Sequence, residues 1–239
     1  MSELRIALVA EGPTDYEVIQ AALKAVLPQP FVMTQLQPEA TQGMMGTGWC
    51  GVLKWIQAAQ QRHRGSLDTD PTLIGFDLLI IHLDVDVASK QYADGGASLE
   101  DIARKNNWGS LPCAQQCPPI SNTVDSLVNV IKSWLGQSTT GGRTILCLPA
   151  QSSGTWLAAA VLPSSHPLLS GGECDLTLES RLSQLPLKER IKKTRREYIL
   201  YAPHITEQWA QVKQVCTQAE HFEQQIVLAA VESVQENSV

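Results

Sequence analysis

The chain has 239 residues, of which 44% are hydrophobic and 18% charged, a composition typical of a globular protein with room for one large α/β domain and an appendage. The formal net charge of −6 argues against a protein that coats nucleic acid without specificity, but it is compatible with a nuclease that uses local basic contacts. No apolar stretch is long enough to span a bilayer and the first residues lack a secretory signal pattern, so we expect a cytoplasmic protein without a membrane partner.

Apolar runs and helical periodicity alternate over the first two thirds of the chain. In chain order, the predicted elements are strand 4–10, helix 15–27, strand 31–36, helix 52–63, strand 76–83, helix 124–135, strand 143–148 and helix 153–162. This alternation is typical of a mostly parallel, Rossmann-like sheet with helices on both faces. A glycine-rich stretch at 41–51 is interpreted as a flexible connection.

Two regions depart from this alternation. Residues 89–121 contain prolines, cysteines and a glycine pair without strong periodicity, which predicts an irregular insertion with a short helix near 98–105. From about residue 176 the chain becomes helical and polar, and 205–233 predicts one long amphipathic helix or two. We therefore expect an α/β domain at 1–150 with an insertion at 89–121, and a mainly helical C-terminal region at 151–239 that packs on it.

Acidic residues follow two of the apolar strands. Glu11 comes directly after the first strand and Asp15 lies one helical turn further on, while Asp84 and Asp86 follow the third strand. Functional groups collect at the carboxyl ends of parallel strands, and alternate residues of an extended segment face the same way. Clustered carboxylates of this kind suit a hard divalent cation, so the sequence predicts a site for Mg²⁺ or Mn²⁺ at this edge.

The four acids and the neighbouring His82 also have a plainer interpretation. Acids at strand ends often cap the next helix or face solvent, and Asp15 is well placed as such a cap. His82 lies within the third strand, on the same face as Asp84 by alternation. It is read either as a core histidine with satisfied hydrogen bonds or as a neighbour of the site.

The two acidic motifs together resemble the Toprim domain. Residues 11–15, Glu-Gly-Pro-Thr-Asp, follow the first strand, and residues 84–86, Asp-Val-Asp, follow the third. The form with the second acid is closest to OLD-type and small stand-alone bacterial Toprim proteins, and the resemblance covers about residues 4–150. It implies Glu11 as general acid/base, Asp84 and Asp86 as catalytic Mg²⁺ ligands, and Asp15 as a ligand of a second metal.

The chain departs from that pattern in one place and lacks a second module. Related small proteins often carry an acid before a tryptophan in the helix after the fourth strand, whereas residues 152–158 here read Ser-Ser-Gly-Thr-Trp-Leu-Ala. No Walker-type nucleotide motif is present, so an ATPase would have to be a separate partner. The resemblance also leaves open another defence-system partner and a homo-oligomer.

A basic cluster stands out in this acidic chain. Placed on a helix, its side chains would spread around much of the circumference. They are interpreted either as contacts to the phosphate backbone of DNA or RNA or as a solvated, ion-paired face. The six residues are Lys188, Arg190, Lys192, Lys193, Arg195 and Arg196.

Three functions are compatible with these features. The leading hypothesis is a Mg²⁺-dependent Toprim nuclease that cleaves phosphodiester bonds, in phage defence or DNA processing. One alternative is a haloacid-dehalogenase-like phosphatase with Asp84 as nucleophile. The other is a non-catalytic Toprim module that binds metal or nucleic acid and acts with a partner.

The six cysteines are scattered, and in a cytoplasmic protein all of them are expected to be reduced. The close spacing of Cys113 and Cys117 suits half of a zinc site. No second pair has matching spacing, so these two are predicted to be ordinary loop thiols.

Overall fold

Four parallel strands form one sheet in the order β2-β1-β3-β4. The computed structural model describes residues 3–39 and 45–236. The strands are β1 (Leu4–Val9), β2 (Phe31–Gln37), β3 (Leu78–His82) and β4 (Thr144–Cys147). The helices are α1 (Pro13–Val26), α2 (Gly48–Arg62), α3 (Ala97–Lys105), α4 (Ser121–Leu135), α5 (Ser153–Val161), α6 (Leu178–Leu182), α7 (Arg195–Glu207), α8 (Trp209–Val215) and α9 (Thr217–Glu236). The predicted α/β class with a helical C-terminal part is confirmed.

Alternating side chains of the central strands build a core on each face of the sheet. Ile6 and Leu8 of β1 pack on one side with α1, α5 and the C-terminal helices. Ala7 and Val9 pack on the other side with α2 and α4. Both faces are therefore covered, which explains why these strands read as continuous apolar runs rather than as alternating ones.

The register of the central strands decides where the acidic motifs lie. β1 is hydrogen-bonded directly to β3, with Leu8 opposite Ile80 and Val9 opposite Ile81. Glu11 follows β1 by two residues and Asp84 follows β3 by two. Because the strands are adjacent, parallel and in register, both acids emerge at the same edge of the sheet.

The insertion and the C-terminal region contain more structure than the sequence predicted. The insertion carries α3. Two 3₁₀ helices, Val85–Ser89 and Tyr92–Gly95, come before α3 in the chain. Residues 205–233, which were predicted to form one or two helices, belong to three: α7, α8 and α9. The helices are separated at Gln208 and at Cys216. No glycine or proline marks either break, and the buried stripe of Ile205, Val212 and Phe222 continues across both, so the sequence carries no stop signal there.

Two local predictions also need correction. The basic cluster does not lie on one helix: the chain is irregular up to Thr194, whose hydroxyl accepts a hydrogen bond from the Glu197 N–H and caps α7. The glycine-rich stretch lies partly outside the described residues, and its last part, from Gly48, begins α2 four residues earlier than predicted.

Among the described residues, no helix is long and apolar enough to cross a membrane.

A disulfide joins Cys117, in the insertion, to Cys174, in the loop between α5 and α6. The expectation that all six cysteines are reduced is therefore wrong for this pair. The two Cα atoms lie 5.6 Å apart although 57 residues separate them in sequence, and a contact of that range leaves no local signal. Cys50, Cys113, Cys147 and Cys216 are free thiols.

We predict that replacing both bridged cysteines, in the variant C117S/C174S, lowers the free energy of unfolding by about 2–5 kcal/mol, because the closed loop no longer restricts the unfolded chain. Urea titration followed by circular dichroism measures the change. The wild-type protein in dithiothreitol should match the variant, and the variant itself should be insensitive to dithiothreitol. Equal stability of the variant and the oxidised wild type would contradict the prediction.

Candidate metal centre

Three potential metal ligands meet at the carboxyl edge of the sheet. Single ligand atoms of Glu11, His82 and Asp84 all lie within 4.8 Å of one another. The backbone N–H of Asp84 donates a hydrogen bond to the Glu11 carboxylate at 2.8 Å, which ties the end of β1 to the end of β3. The predicted convergence of Glu11 and Asp84 is thus present in the structure, together with a histidine.

The first turn of α5 holds the aspartates in place. The backbone N–H of Ser153 donates to Asp84 Oδ1 at 2.9 Å, and the Ser153 hydroxyl donates to Asp15 Oδ1 at 2.7 Å. A carboxylate next to a helix N-terminus is stabilised by the unpaired N–H groups and by the helix dipole. Ser153 was not recognised as part of the site from the sequence, although it lies within the stretch 152–158 in which the expected acid is missing.

Asp15 has the capping role that was predicted for it and also lies beside the centre. Its Oδ2 accepts a hydrogen bond from the Gly12 N–H at 2.8 Å, so it caps α1. The same carboxylate is buried and lies 3.8 Å from the Nδ1 atom of His82. It therefore borders the centre from the side opposite Asp84, and its part in a second metal position stays a prediction.

His82 is fully buried between the two aspartates. Its Nε2 atom lies 3.2 Å from Asp84 Oδ1, but the angles do not meet those of a hydrogen bond, and neither ring nitrogen has a hydrogen-bond partner among the described residues. Buried polar groups are rarely left without a partner. These contacts suit two states of the ring, an imidazolium paired with the two carboxylates or a neutral imidazole that holds a divalent cation, so both interpretations of His82 stay open.

The electrostatics of the centre favour bound protons when no cation is present. Burial, together with the charge of Asp84, raises the pKa of Glu11 to about 8. Burial also raises the pKa of Asp84 to about 6, although the neighbouring His82 opposes this shift. Burial alone lowers the pKa of His82, but the charges of Asp15 and Asp84 outweigh it and raise that pKa to about 9.

Asp86 is outside the group of converging ligand atoms. The prediction that it shares a face with Asp84 assumed an extended chain, whereas the chain turns into the 3₁₀ helix Val85–Ser89. The Asp86 carboxylate lies 3.2 Å from the Lys90 ammonium group and is partly exposed. Its part in metal binding stays a prediction.

A further acid, Glu179 of α6, lies against the first turn of α5. A Cβ atom at Gly154 would lie 2.4 Å from Glu179 Oε1, so a glycine is needed for this approach. The Glu179 carboxylate accepts hydrogen bonds from the Tyr198 hydroxyl and from Lys193, the latter at 2.8 Å. An acid therefore lies against Gly154, two positions before Trp156, although the sequence motif lacks one.

Lys193 is the basic residue whose charge is coupled to the centre. Burial lowers its pKa, but the charges of Glu179 and Asp84 outweigh burial, so the net shift is upward. Arg195 pairs with Glu17 at 3.0 Å. The structure gives no acidic partner, within the part of the chain that it describes, for Lys188, Arg190, Lys192 or Arg196.

Comparisons of the chain with protein-family models, with curated proteins and with solved structures return no match.

We predict that the metal-free protein becomes less stable as the pH rises from about 4 to about 9. The folded state retains protons on Asp84, Glu11 and His82 at pH values where the unfolded chain has released them. Each retained proton contributes a slope of about −1.4 kcal/mol per pH unit to the free energy of unfolding. Urea unfolding in EDTA at several pH values measures this slope.

The variant E11Q is the matched control, because it should flatten the slope between about pH 4.5 and pH 8. Saturating Mn²⁺ should reverse the trend for the wild type, since a cation binds the deprotonated ligands. A free energy of unfolding that rises with pH in EDTA would contradict the prediction.

Proposed function

We propose that this protein is a divalent-metal-dependent phosphodiesterase that cleaves nucleic acid, as the resemblance to Toprim nucleases implies. The observation that supports the proposal most strongly is the meeting of Glu11, His82 and Asp84 at the ends of two adjacent parallel strands. Catalytic sites of open α/β sheets occupy this position.

Glu11, His82 and Asp84 are the residues that would hold the metal. A divalent cation there would supply a Lewis acid for the phosphoryl oxygens and lower the pKa of bound water. The resemblance implies Mg²⁺, but a donor set of one imidazole and two carboxylates also suits Mn²⁺, because nitrogen ligands are preferred by later divalent metals. We therefore propose Mn²⁺ as an equally effective cofactor.

Glu11 is the residue best placed to handle a proton. Unlike His82 and Asp84, it is only partly buried, so it is accessible from solvent. Its raised pKa of about 8 belongs to the centre without a cation; a bound cation would lower that pKa, so in the loaded centre Glu11 would be a carboxylate able to accept a proton. This environment supports the role that the resemblance assigns to it.

Positive charge for the substrate would come from the basic cluster. Lys193 is held by Glu179 and is coupled to Asp84, so it is suited to stabilise negative charge that develops on the phosphate. The cluster members without acidic partners are suited to contact the phosphate backbone further along the strand. DNA and RNA present the same phosphates, and the assay below includes both.

The phosphatase alternative is disfavoured by the surroundings of Asp84. A nucleophilic aspartate must present an oxygen to the substrate. The Asp84 side chain is 8% exposed, and its Oδ1 accepts a hydrogen bond from the Ser153 N–H and faces His82. This arrangement suits a fixed metal ligand.

We predict that E11Q, H82N and D84N each lower nucleic-acid cleavage by roughly 10²–10⁴-fold. The assay measures initial rates on single- and double-stranded DNA and RNA, with Mg²⁺, Mn²⁺ or EDTA. D125N is the control because Asp125 is an exposed acid on α4. Wild-type cleavage that persists in E11Q and D84N would refute the proposed centre, whereas metal and nucleic-acid binding without any cleavage would indicate the non-catalytic module.

We predict that K193M lowers kcat by roughly 10–10³-fold, because a preorganised charge at the phosphate is lost. K192M is the matched control: Lys192 is the neighbouring lysine, without an acidic side-chain partner among the described residues, and its loss should raise KM and reduce the salt dependence of KM without changing kcat. Equal effects of both variants on kcat would show that the cluster acts only by binding. Y198F tests whether the hydrogen bond to Glu179 is needed to hold Lys193.

A further inference from the structure

A cavity of about 380 Å³ lies within the insertion, away from the ligand atoms of the metal centre. It is enclosed by the 3₁₀ helix Tyr92–Gly95, by α3 and by the turn after α3. Aromatic and hydrogen-bonding side chains dominate its wall. Those that matter here are Gln91, Tyr92, Arg104, Asn107, Trp108 and Ser110.

The wall of the cavity has a fixed shape. The Tyr92 hydroxyl donates to the carbonyl of Gly109 at 2.7 Å, and the Gly109 N–H donates to the Ser133 hydroxyl at 2.7 Å. A Cβ atom at Gly109 would lie 3.1 Å from the Cα atom of Val130, so only glycine lets the turn approach α4 this closely. Asn107 has a φ of 52°, a left-handed conformation that asparagine tolerates better than most residues.

The chemistry of the wall suits a neutral planar ring. The rings of Tyr92 and Trp108 lie 5.8 Å apart, and Trp108 is partly exposed, so it offers an aromatic surface for stacking. The amides of Gln91 and Asn107 supply neutral donors and acceptors. Arg104 lies 3.7 Å from Glu100 and 3.4 Å from Asp101, and Glu100 also lines the cavity, so the wall carries an acid as well as a cation.

The cavity shares a wall with the neighbourhood of the metal centre. The Tyr92 ring lies 6.4 Å from the ring of Trp49, in the first turn of α2. A Cβ atom at Gly95 would lie 2.6 Å from the sulfur of Cys50, which shows how closely the two segments pack. The N–H of Gly48, at the start of the same turn, donates to the carbonyl of Glu11 at 2.8 Å.

We propose that this cavity binds one nucleobase of the substrate strand. This proposal rests on the proposed nuclease function, because it takes a nucleic-acid strand as the substrate. Binding of the base itself requires only the cavity. Stacking on Trp108 would supply most of the affinity, and the amides of Gln91 and Asn107 would select among bases. A base held there would help to position the strand against Glu11 and Asp84.

The test measures binding of adenosine, guanosine, cytidine and uridine in EDTA, by isothermal titration calorimetry and by saturation-transfer NMR. Ribose 5-phosphate is the probe for sugar and phosphate alone. We expect at least one nucleoside to bind, ribose 5-phosphate not to bind, and W108A to weaken nucleoside binding roughly 10-fold or more. W108F keeps an aromatic face and should remain within about 3-fold of the wild type.

The outcomes separate this proposal from the proposed function. D84N should bind nucleosides as well as the wild type, so nucleoside binding that persists while no cleavage is found supports the base site and refutes only the nuclease. Cleavage that depends on Asp84, with nucleoside binding and KM unchanged in W108A, overturns the base site alone. Binding of ribose 5-phosphate with an affinity equal to that of the nucleosides also overturns it.

Discussion

The concentration of acidic groups around a buried histidine is the constraint on which the rest of this structure depends. Asp15 and Asp84 lie on two sides of the His82 ring, and the Glu11 carboxylate accepts a hydrogen bond from the Asp84 backbone N–H. Like charges this close in a poorly solvated place repel strongly, so they need protons or a cation. The upward pKa shifts of Glu11 and Asp84 express that need, and a metal would meet it more completely than protons.

The fold meets the constraint with backbone groups rather than with arginines. N–H groups of Gly12, Asp84 and Ser153 each donate to one of the three carboxylates, at the start of α1, the end of β3 and the first turn of α5. Such donors are fixed in place and neutral, so they orient the carboxylates without cancelling their charge. Within the described part of the chain, the one cationic group inside the centre is the His82 ring, which the neighbouring aspartates keep protonated at neutral pH, so a bound metal would have to displace that proton.

The sequence predicted the features that depend on neighbouring residues. The runs of β1 and β3, and the acids that follow them, are local patterns, and the parallel alternation was enough to place Glu11 beside Asp84. The orientation of Asp86 was not predictable from alternation because the chain leaves the extended conformation directly after Asp84.

Features that depend on contacts between residues far apart in the chain could not be predicted from the sequence. Ser153 reaches Asp15 across 138 positions, and the disulfide joins Cys117 to Cys174. Glu179 comes close to the start of α5 only because Gly154 has no side chain. His82 had two interpretations from the pattern alone, and its place between Asp15 and Asp84, which only coordinates reveal, is compatible with both.

The irregular course of the basic cluster resolves a difficulty for an acidic protein that is proposed to bind nucleic acid. On a helix, these cations would point in all directions, and their combined field at any one surface would be weak. In the irregular chain, Ile191 is buried and anchors the segment, while Lys193 and Arg195 are fixed by Glu179 and Glu17. The segment is thereby held next to α1 and α6, with Lys193 coupled to the acidic centre. Substrate attraction and charge stabilisation are thus assigned to one short, anchored stretch, so the net charge of −6 does not prevent a phosphate from approaching the metal ligands.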